Sequence, residues 1–308
     1  MTDARKPIVV VGSVTMDLVT RTPRIPAIGE TLIGTGFNTT PGGKGANQAV
    51  AAARLGYSVA MVAHVGTDAY GLALIENLQH AGVDTRAIRP VEGSSGLAPM
   101  FVAETGENSI VVVPGANGKM DRATIDANGD LIRSAGMVLC QLEIPMDTLA
   151  YTLDFCASAG VLVMLDPAPA AELPDSILKY VACFTPNETE AAFYAGGEAG
   201  VEQTAERLHK RGIRNVVLKR GAEGAYLSMA SGAVGWVPSY KVQAIDTVAA
   251  GDCFNGAFAV GLLEGRDPFD AARFANAAAA ICVTRHGAQA SMPMRSDVDK
   301  FLEGRPQN

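Results

Sequence analysis

Residues 246–252 read Asp-Thr-Val-Ala-Ala-Gly-Asp and connect the end of a strand to a helix that we predict over 253–263. The small side chains leave backbone N–H groups free to converge at the start of that helix, where the macrodipole favours negative charge. The stretch therefore predicts a site for a transferring phosphoryl group, with the Asp252 carboxylate beside it as proton acceptor. The alternative is that Asp252 is the N-cap of an ordinary helix.

A second glycine-rich turn, Pro-Gly-Gly-Lys-Gly-Ala-Asn-Gln at 41–48, also leads into a helix. Its spacing fits neither the Walker pattern nor the dinucleotide fingerprint. Backbone exposed at Gly42 and Gly43, together with Lys44 and Asn47, offers donors and acceptors suited to the hydroxyls of a sugar. The alternative is a plain helix start with a solvated lysine.

Outside these turns, short β-branched runs alternate with Ala- and Leu-rich runs. We predict strands at 8–11, 59–64, 137–141, 161–166, 183–185 and 215–218, and helices at 45–55, 69–81, 122–134, 147–159 and 202–211. A hairpin at 224–228 and 233–237 and helices at 253–263 and 268–284 complete the pattern. Such alternation favours an α/β fold with a mostly parallel central sheet covered by helices on both faces.

Two stretches interrupt the alternation. Residues 18–40 contain Pro23, Pro26 and an alternating run at 31–34, while 97–104 and 108–113 resemble a hairpin. Strands without a following helix predict a small β-sheet outside the main layers, free to cover a site or meet a second subunit. We therefore expect 1–308 to form one α/β domain with a discontinuous β lid from about 18–40 and 97–113.

The composition excludes several classes of protein. The 308-residue chain is 48% hydrophobic and carries a net charge of −7 without a basic cluster, which argues against nucleic acid and anionic membranes as partners. No apolar run approaches the ~20 residues of a membrane span. Five cysteines without CxxC spacing suit a reducing compartment, so we expect a cytoplasmic protein.

Together the motifs resemble those of the ribokinase-like, phosphofructokinase-B type family of carbohydrate kinases, over nearly the whole chain. Besides the turns at 41–48 and 246–252, the shared runs are Gln-Leu-Glu at 141–143, Asp-Pro-Ala-Pro at 166–169, Thr-Pro-Asn-Glu at 185–188 and Thr-Arg-His-Gly-Ala-Gln at 284–289. Many relatives begin the Asp-Pro-Ala-Pro run with asparagine instead of Asp166. The resemblance implies a Rossmann-like, ribokinase-like fold and ATP-dependent phosphorylation of the 5-hydroxyl of D-ribose.

The resemblance also implies residue roles. Asp252 would be the base, with the amides of Ala249, Ala250 and Gly251 as the anion hole. The sugar would contact Thr15, Asp17, Gly42, Gly43, Lys44, Asn47, Glu143 and Asp252. Thr15 stands where many relatives have asparagine, which removes an amide donor and leaves the choice of sugar open. Taken alone, Asp17 and Glu143 are also consistent with a loop carboxylate and a helix-start charge.

ATP, Mg²⁺ and a monovalent cation such as K⁺ are the implied cofactors. Asn187 and Glu190 resemble the element that orders Mg²⁺ and phosphate, although an acidic helix start explains them equally well in isolation. The nucleotide would contact Arg220, Gly221, Ala222, Glu223, Gly224, Ala225, Gly251 and Asn276. K⁺ would be bound by Asp246, Val248, Cys282, Arg285, Gly287 and Ser291, mostly through carbonyl groups.

The resemblance further implies a homodimer in which two lids interlock. Other readings remain open: a kinase of another furanose, of a nucleoside or of fructose, and a non-catalytic sugar or nucleotide sensor. A Rossmann-type oxidoreductase would need a GxGxxG run after the first strand, and Gly12-Ser13-Val14 does not supply it.

Overall fold

Two β-sheets organise the chain in a computed structural model that describes residues 6–304. The strands are β1 Ile8–Val11, β2 Thr15–Thr22, β3 Gly36–Gly42, β4 Val59–Gly66, β5 Ile88–Val91, β6 Gly96–Ala103, β7 Asn108–Ile110, β8 Met137–Cys140, β9 Leu162–Leu165, β10 Cys183–Phe184, β11 Val216–Lys219, β12 Gly224–Ser228 and β13 Val234–Pro238. The helices are α1 Lys44–Arg54, α2 Ala69–His80, α3 Arg122–Ala127, α4 Gly129–Ser134, α5 Met146–Ala159, α6 Asp175–Leu178, α7 Glu188–Tyr194, α8 Val201–Lys210, α9 Ala250–Leu263, α10 Pro268–Cys282 and α11 Arg295–Glu303.

The larger sheet has nine strands in the order β13-β12-β11-β10-β9-β8-β1-β4-β5. From β11 to β5 all neighbours are parallel, and the β12–β13 hairpin adds an antiparallel edge. The predicted α/β class is confirmed. Because β8, β9, β10 and β11 follow one another in space and in sequence, the loops after their carboxyl ends share one edge of the sheet.

Helices cover both faces of this sheet, as its apolar strands require. Successive side chains of β1 point to opposite sides, so that Ile8 and Val10 pack with α1, α9 and α10 while Val9 and Val11 pack with α5 and α8. Both predicted layers are therefore present, and the C-terminal edge of the sheet lies between them.

The smaller sheet has the order β3-β2-β6-β7 and matches the predicted lid segments. Its central pair, β2 and β6, is parallel, and the flanking pairs are antiparallel. Strand β2 begins at Thr15, whereas the lid was predicted to begin at about residue 18. The first residues of the lid therefore lie inside the core. The alternating run at 31–34 is not a strand, because β3 begins only at Gly36.

The predicted helix over 122–134 is wrong as a single element. It is two short helices that meet at Asn128, whose side-chain amide donates to the carbonyl of Thr124 at 2.9 Å. An asparagine that bonds to the backbone competes with regular helix geometry. Strand β5 and helix α11 were not predicted.

Close approach of α9 to α1 sets the position of the functional site. A Cβ on Gly256 would lie 2.8 Å from both the Gln48 carbonyl oxygen and the Ala51 Cβ, so only glycine permits this spacing. Between residues 6 and 304, no helix is long and apolar enough to cross a bilayer.

Candidate active site

The N-terminus of α9 lies at the carboxyl edge of the large sheet. Its N-cap residue, Ala249, has a left-handed backbone (φ 59°), and no side chain caps the helix. The first-turn amides therefore lack a side-chain acceptor, which suits an anion. Ala250 N–H contacts the Thr247 carbonyl at 3.3 Å.

Asp252 is not the N-cap, so the ordinary-helix alternative does not describe it. It lies in the first turn of α9 and is only 5% exposed. Its carboxylate accepts hydrogen bonds from the Asn47 amide at 2.9 Å and the Gln48 amide at 3.2 Å, both on α1. The two predicted motifs thus meet at this carboxylate.

The surroundings of Asp252 suit a proton acceptor. Burial raises its pKa, and the charge of Asp166 adds to the rise, while Lys44, Asn47 and Gln48 oppose it; the net shift is upward. A carboxylate with a raised pKa binds a proton more readily than a free aspartate, which is a stronger acid.

Lys44 supplies positive charge near the base. Burial alone would lower its pKa, but the attraction of Asp252, Asp166, Glu143 and Glu190 outweighs burial and raises it. Lys44 is therefore a permanent cation. A lysine placed among carboxylates can neutralise a bound polyphosphate as well as contact a sugar.

The predicted sugar residues gather where β2 and β3 leave the core. A Cβ on Gly42 would lie 2.4 Å from Asp17 Oδ2, so the Asp17 carboxylate rests against the glycine backbone. The Thr15 hydroxyl donates to Asp17 Oδ1 at 3.2 Å. Burial raises the pKa of Asp17 to about 6; the Thr15 hydrogen bond lowers it and Glu143 adds to the rise.

Glu143 fixes the start of α1 from the opposite side. Its Oε2 accepts a bond from the Lys44 backbone N–H at 3.0 Å and a short one from the Ser13 hydroxyl. Gly43, the N-cap, has φ 91° and lies so close to Ser13 and Thr15 that a Cβ would be 2.9 Å from their backbones. The alternative reading of Glu143 as a charge at the start of the helix after Pro145 does not describe it, because that helix begins at Met146 and Glu143 bonds to the start of α1.

A cleft of about 690 Å³ extends from Asp252 along the sheet edge. The predicted residues that line it are Lys44, Asn187, Glu190, Gly221, Ala222, Gly224, Ala249, Ala250, Gly251, Asp252 and Asn276. Three of the residues predicted to contact the nucleotide, Arg220, Glu223 and Ala225, do not line the cleft. Arg220 pairs with Glu188 at 2.6 Å and with Glu223 at 3.5 Å, and Ala225 is buried within β12.

Asn187 and Glu190 form a capping box at the start of α7. Asn187 Oδ1 accepts from the Glu190 N–H at 2.9 Å, and Glu190 Oε2 accepts from the Asn187 N–H at 2.8 Å. The helix-start reading therefore describes their local geometry, while both also line the cleft. Their oxygen atoms are the kind that Mg²⁺ binds through water.

The six residues predicted for a monovalent cation lie in two adjoining segments, the loop before α9 and the segment that runs from the last residue of α10 to a 3-10 turn at Ser291. Asp246 joins the two segments, since its carboxylate accepts from the N–H groups of Val248 at 3.0 Å and Gly287 at 2.9 Å. Cys282 Sγ is 3.0 Å from the Ser291 hydroxyl. Residues 6–304 contain no group of three or more His, Cys, Asp or Glu that could hold a metal.

Asn276 has a structural role in addition to its place in the cleft. Its amide donates to the carbonyls of Val237 at 3.0 Å and Pro238 at 3.2 Å. It therefore ties α10 to β13 at the wall of the cleft. This connection keeps the far end of the cleft in register with α9.

Sequence reasoning gave no site role to four residues that join the motifs, namely Gln48, Gln141, Asp166 and Lys219. Gln48 donates to Asp166 at 3.0 Å as well as to Asp252, and it accepts from Gln141 at 2.7 Å. Asp166 also accepts from Lys219 at 3.0 Å. The available signal was that Gln141, Asp166 and Lys219 all lie at carboxyl ends of parallel strands, where α/β sites form.

Comparison with known proteins places the chain in a family. The model of the pfkB family of carbohydrate kinases matches residues 5–295. The chain belongs to the pfkB family of carbohydrate kinases. Among curated relatives of the kinase, ribokinase of Bacillus subtilis is 43% identical over 96% of this chain and 99% of its own, and deoxyribokinase of Salmonella typhi is 36% identical over 96% and 98%.

A solved structure agrees with this assignment. Ribokinase of Arabidopsis thaliana, complexed with ribose and ATP, is 35% identical, with a TM-score of 0.90 over 96% of this kinase and 98% of that chain. The family resemblance and the ribokinase-like fold predicted from the motifs are both confirmed.

Proposed function

We propose that this kinase transfers the γ-phosphoryl group of ATP to the 5-hydroxyl of D-ribose and releases ribose 5-phosphate and ADP. The observation that carries the proposal is the position of Asp252, which is held by α1 beside the sugar residues and opens onto the cleft at the start of α9. The close similarity to ribokinases over the full chain supports ribose as the acceptor.

The reaction needs one proton acceptor and one anion site. Asp252 accepts the proton of the 5-hydroxyl while the new oxygen–phosphorus bond forms and the bond to the bridging oxygen of ADP breaks. In a loose phosphoryl-transfer transition state the proton leaves late, so the orientation that Asn47 and Gln48 impose on the carboxylate matters more than its basicity.

Charge on the phosphoryl oxygens would be stabilised by the amides of Ala249, Ala250 and Gly251 at the start of α9. Each such donor accounts for about 2.7–4 kcal/mol of activation free energy in comparable sites. The uncapped helix end and the left-handed Ala249 support this assignment.

Ribose would lie between the lid and α1. Asp17 and Glu143 supply carboxylate acceptors, while Lys44, Asn47 and the backbone of Gly43 complete the set together with Thr15 and Gly42. A carboxylate accepts two hydroxyls of a small sugar, which fits a compact furanose.

Mg²⁺ and K⁺ are proposed cofactors. Glu190 and Asn187 would hold Mg²⁺ through water, where it would neutralise the phosphate oxygens. The loops of Asp246 and Gly287 offer carboxylate and carbonyl oxygens suited to K⁺, adjacent to the anion hole. Both roles rest on the oxygen-rich chemistry of these residues.

The second candidate acceptor is 2-deoxyribose. It is favoured by the similarity to a deoxyribokinase and by the Thr15 hydroxyl, which is already bonded to Asp17. A panel of ribose, 2-deoxyribose, fructose and adenosine at fixed ATP tests the assignment by ADP release. We expect the highest kcat/KM for ribose; equal or better values for fructose or adenosine would overturn it.

A non-catalytic sensor is the remaining alternative. A sensor has no need of a buried carboxylate with a raised pKa at the mouth of an anion site. ADP release that requires the acceptor would exclude this reading.

We further propose that residues 1–308 form one kinase domain with a discontinuous lid, and that two lids pair in a homodimer. The lid exposes large apolar side chains, namely Ile33, Phe37, Phe101, Ile110, Val111, Val112 and Val113. Exposed apolar patches of this kind mark association surfaces. A cytoplasmic location is supported by the five cysteines, which are all free and buried.

A further inference from the structure

Lys219 forms an ion pair inside the cleft that the reaction described above does not use. Its ammonium is 3.0 Å from Asp166 Oδ1, and the two side chains are only 12% and 3% exposed. Both residues line the same cavity as Asp252 and Gly251. Ion pairs at this depth carry a desolvation cost that their mutual attraction only partly offsets.

The ammonium of Lys219 lies beside the start of α9. A Cβ on Gly251 would be 3.3 Å from Lys219 Nζ and 3.8 Å from Cε. A cation at the positive end of a helix is electrostatically unfavourable unless an anion is also present. Asp166 supplies one negative charge, but its carboxylate is shared, because it also accepts a hydrogen bond from the Gln48 amide.

Asp166 connects the lysine to the base. One of its oxygens accepts from Lys219 and the other from Gln48, whose amide also donates to Asp252. The carboxylate is thus fixed from two sides and can hold Lys219 in one place.

We propose that Lys219 is a catalytic residue that binds the γ-phosphoryl oxygens of ATP at the start of α9, and that Asp166 positions it. Its charge offsets the negative charge carried by the phosphoryl oxygens during transfer. The inference rests on the proposed function for the identity of the nucleotide.

The test uses nucleotide affinity and kinetics of the full chain. Lys219→Met alone would leave Asp166 buried without a cation, so the decisive variant is the double substitution Asp166→Asn with Lys219→Met. Asp166→Asn alone keeps the lysine and frees it from its partner. Lys210→Met, which removes an exposed lysine paired with Glu206 on α8, is the matched control.

Calorimetric titration with ATP, ADP and adenosine, without sugar, gives the first readout. We expect the double variant to bind ATP about 10- to 100-fold more weakly, as the loss of one charge-assisted hydrogen bond implies, and adenosine within about twofold of the unaltered kinase. ADP should weaken less than ATP. Asp166→Asn alone keeps the cation but loses the group that positions it, so its loss of ATP affinity should be clearly smaller than that of the double variant.

Three results would overturn the inference. Equal losses for ATP and adenosine would mean a merely structural role, equal losses for ATP and ADP would move Lys219 away from the γ-phosphoryl group, and a loss for Asp166→Asn as large as for the double variant would assign the effect to Asp166. In turnover, kcat should fall while KM for ribose stays unchanged. Because the titrations contain no sugar, they stand even if the acceptor panel rejects ribose.

Discussion

The junction of α1 with α9 and the lid sheet both contribute to the proposed sugar site but are built by opposite means. At the junction, Asp252 and Asn47 are buried and hydrogen-bonded, and Gly256 allows the two helices to touch. In the lid, Phe37 and Phe101 are 65% and 41% exposed, and strand β3 has solvent along most of its length.

This difference assigns the chemistry to the buried junction and access to the exposed lid. A buried polar network is intolerant of change, because any lost partner leaves a desolvated group behind. An exposed sheet loses little stability when one side chain changes, but the exposed side chains control what the sheet can pair with. We therefore expect substitutions at the junction to alter turnover and stability, and substitutions in the lid to alter association.

The largest effect is expected from Asp252→Asn. The amide retains the shape of the carboxylate but accepts no proton, so kcat should fall about 100- to 10,000-fold while ATP affinity stays close to normal. Asp154→Asn, on the exposed face of α5, is the control for a surface aspartate. Turnover at the normal rate in Asp252→Asn would refute the base assignment.

Gly256→Ala tests the contact between the helices. The new methyl group meets the backbone of Gln48 and the Ala51 side chain, so we expect about 1–3 kcal/mol lower free energy of unfolding together with lower kcat. The gain in helix propensity is smaller than this clash. Urea denaturation measures the change.

The matched substitution in the lid is Gly36→Ala. A Cβ there would be 3.7 Å from its nearest neighbour, an ordinary contact. We expect a change within about 0.5 kcal/mol. If both alanine variants behaved alike, the contrast between junction and lid would fail.

The pH dependence of ribose affinity probes the point where the two regions meet. Asp17 has its pKa raised to about 6, so it is an ionised acceptor above that pH and gains a proton below it. Ribose affinity should weaken by about tenfold per pH unit below pH 6 and level off above it. Titrations from pH 5 to pH 8 check this, and Asp17→Asn should give a flat, weak profile.

The raised pKa of Asp17 affects the stability of the fold in the opposite direction from ribose affinity. Because folding raises the pKa of Asp17, its protonated form contributes stability at low pH, and that contribution is lost as pH rises from about 4 to about 6. Asp17→Asn should therefore gain stability relative to the unaltered chain at pH 7. Equal pH profiles for the two proteins would contradict the shift.

The smallest effect on folding is expected from Phe37→Ser with Phe101→Ser. Both side chains are exposed, so the free energy of unfolding per chain should change by less than about 0.5 kcal/mol. The mass in solution should nevertheless fall from dimer to monomer. A monomeric unaltered chain, measured by light scattering, would contradict the paired lids.

Much of this architecture was predictable from local pattern. Runs such as Ile8–Val11 are buried on both faces and read as parallel strands, and the interruption of strand–helix alternation revealed the lid. The helix break at Asn128 was not predictable, because the periodicity of 122–134 is helical and the break depends on one side chain bonding to Thr124.

The candidate site divides in the same way. Asp252 and Lys44 stand beside glycine-rich turns, so their role could be inferred from neighbours in sequence. Lys219 could not, because its partner Asp166 is far away along the chain and only folding of the sheet brings them to 3.0 Å. Arg220, the residue after β11, pairs with Glu188 and does not itself line the cleft, a contact between distant segments that the local sequence does not indicate.

Strand β2 begins with Thr15 and Asp17, which belong to the proposed sugar site, and continues outward as the middle of the lid. The lid and two of the groups proposed to bind the sugar therefore belong to one continuous strand. Any movement of the lid must also move Asp17, so opening of the site and weakening of the contacts to the product would occur in a single movement.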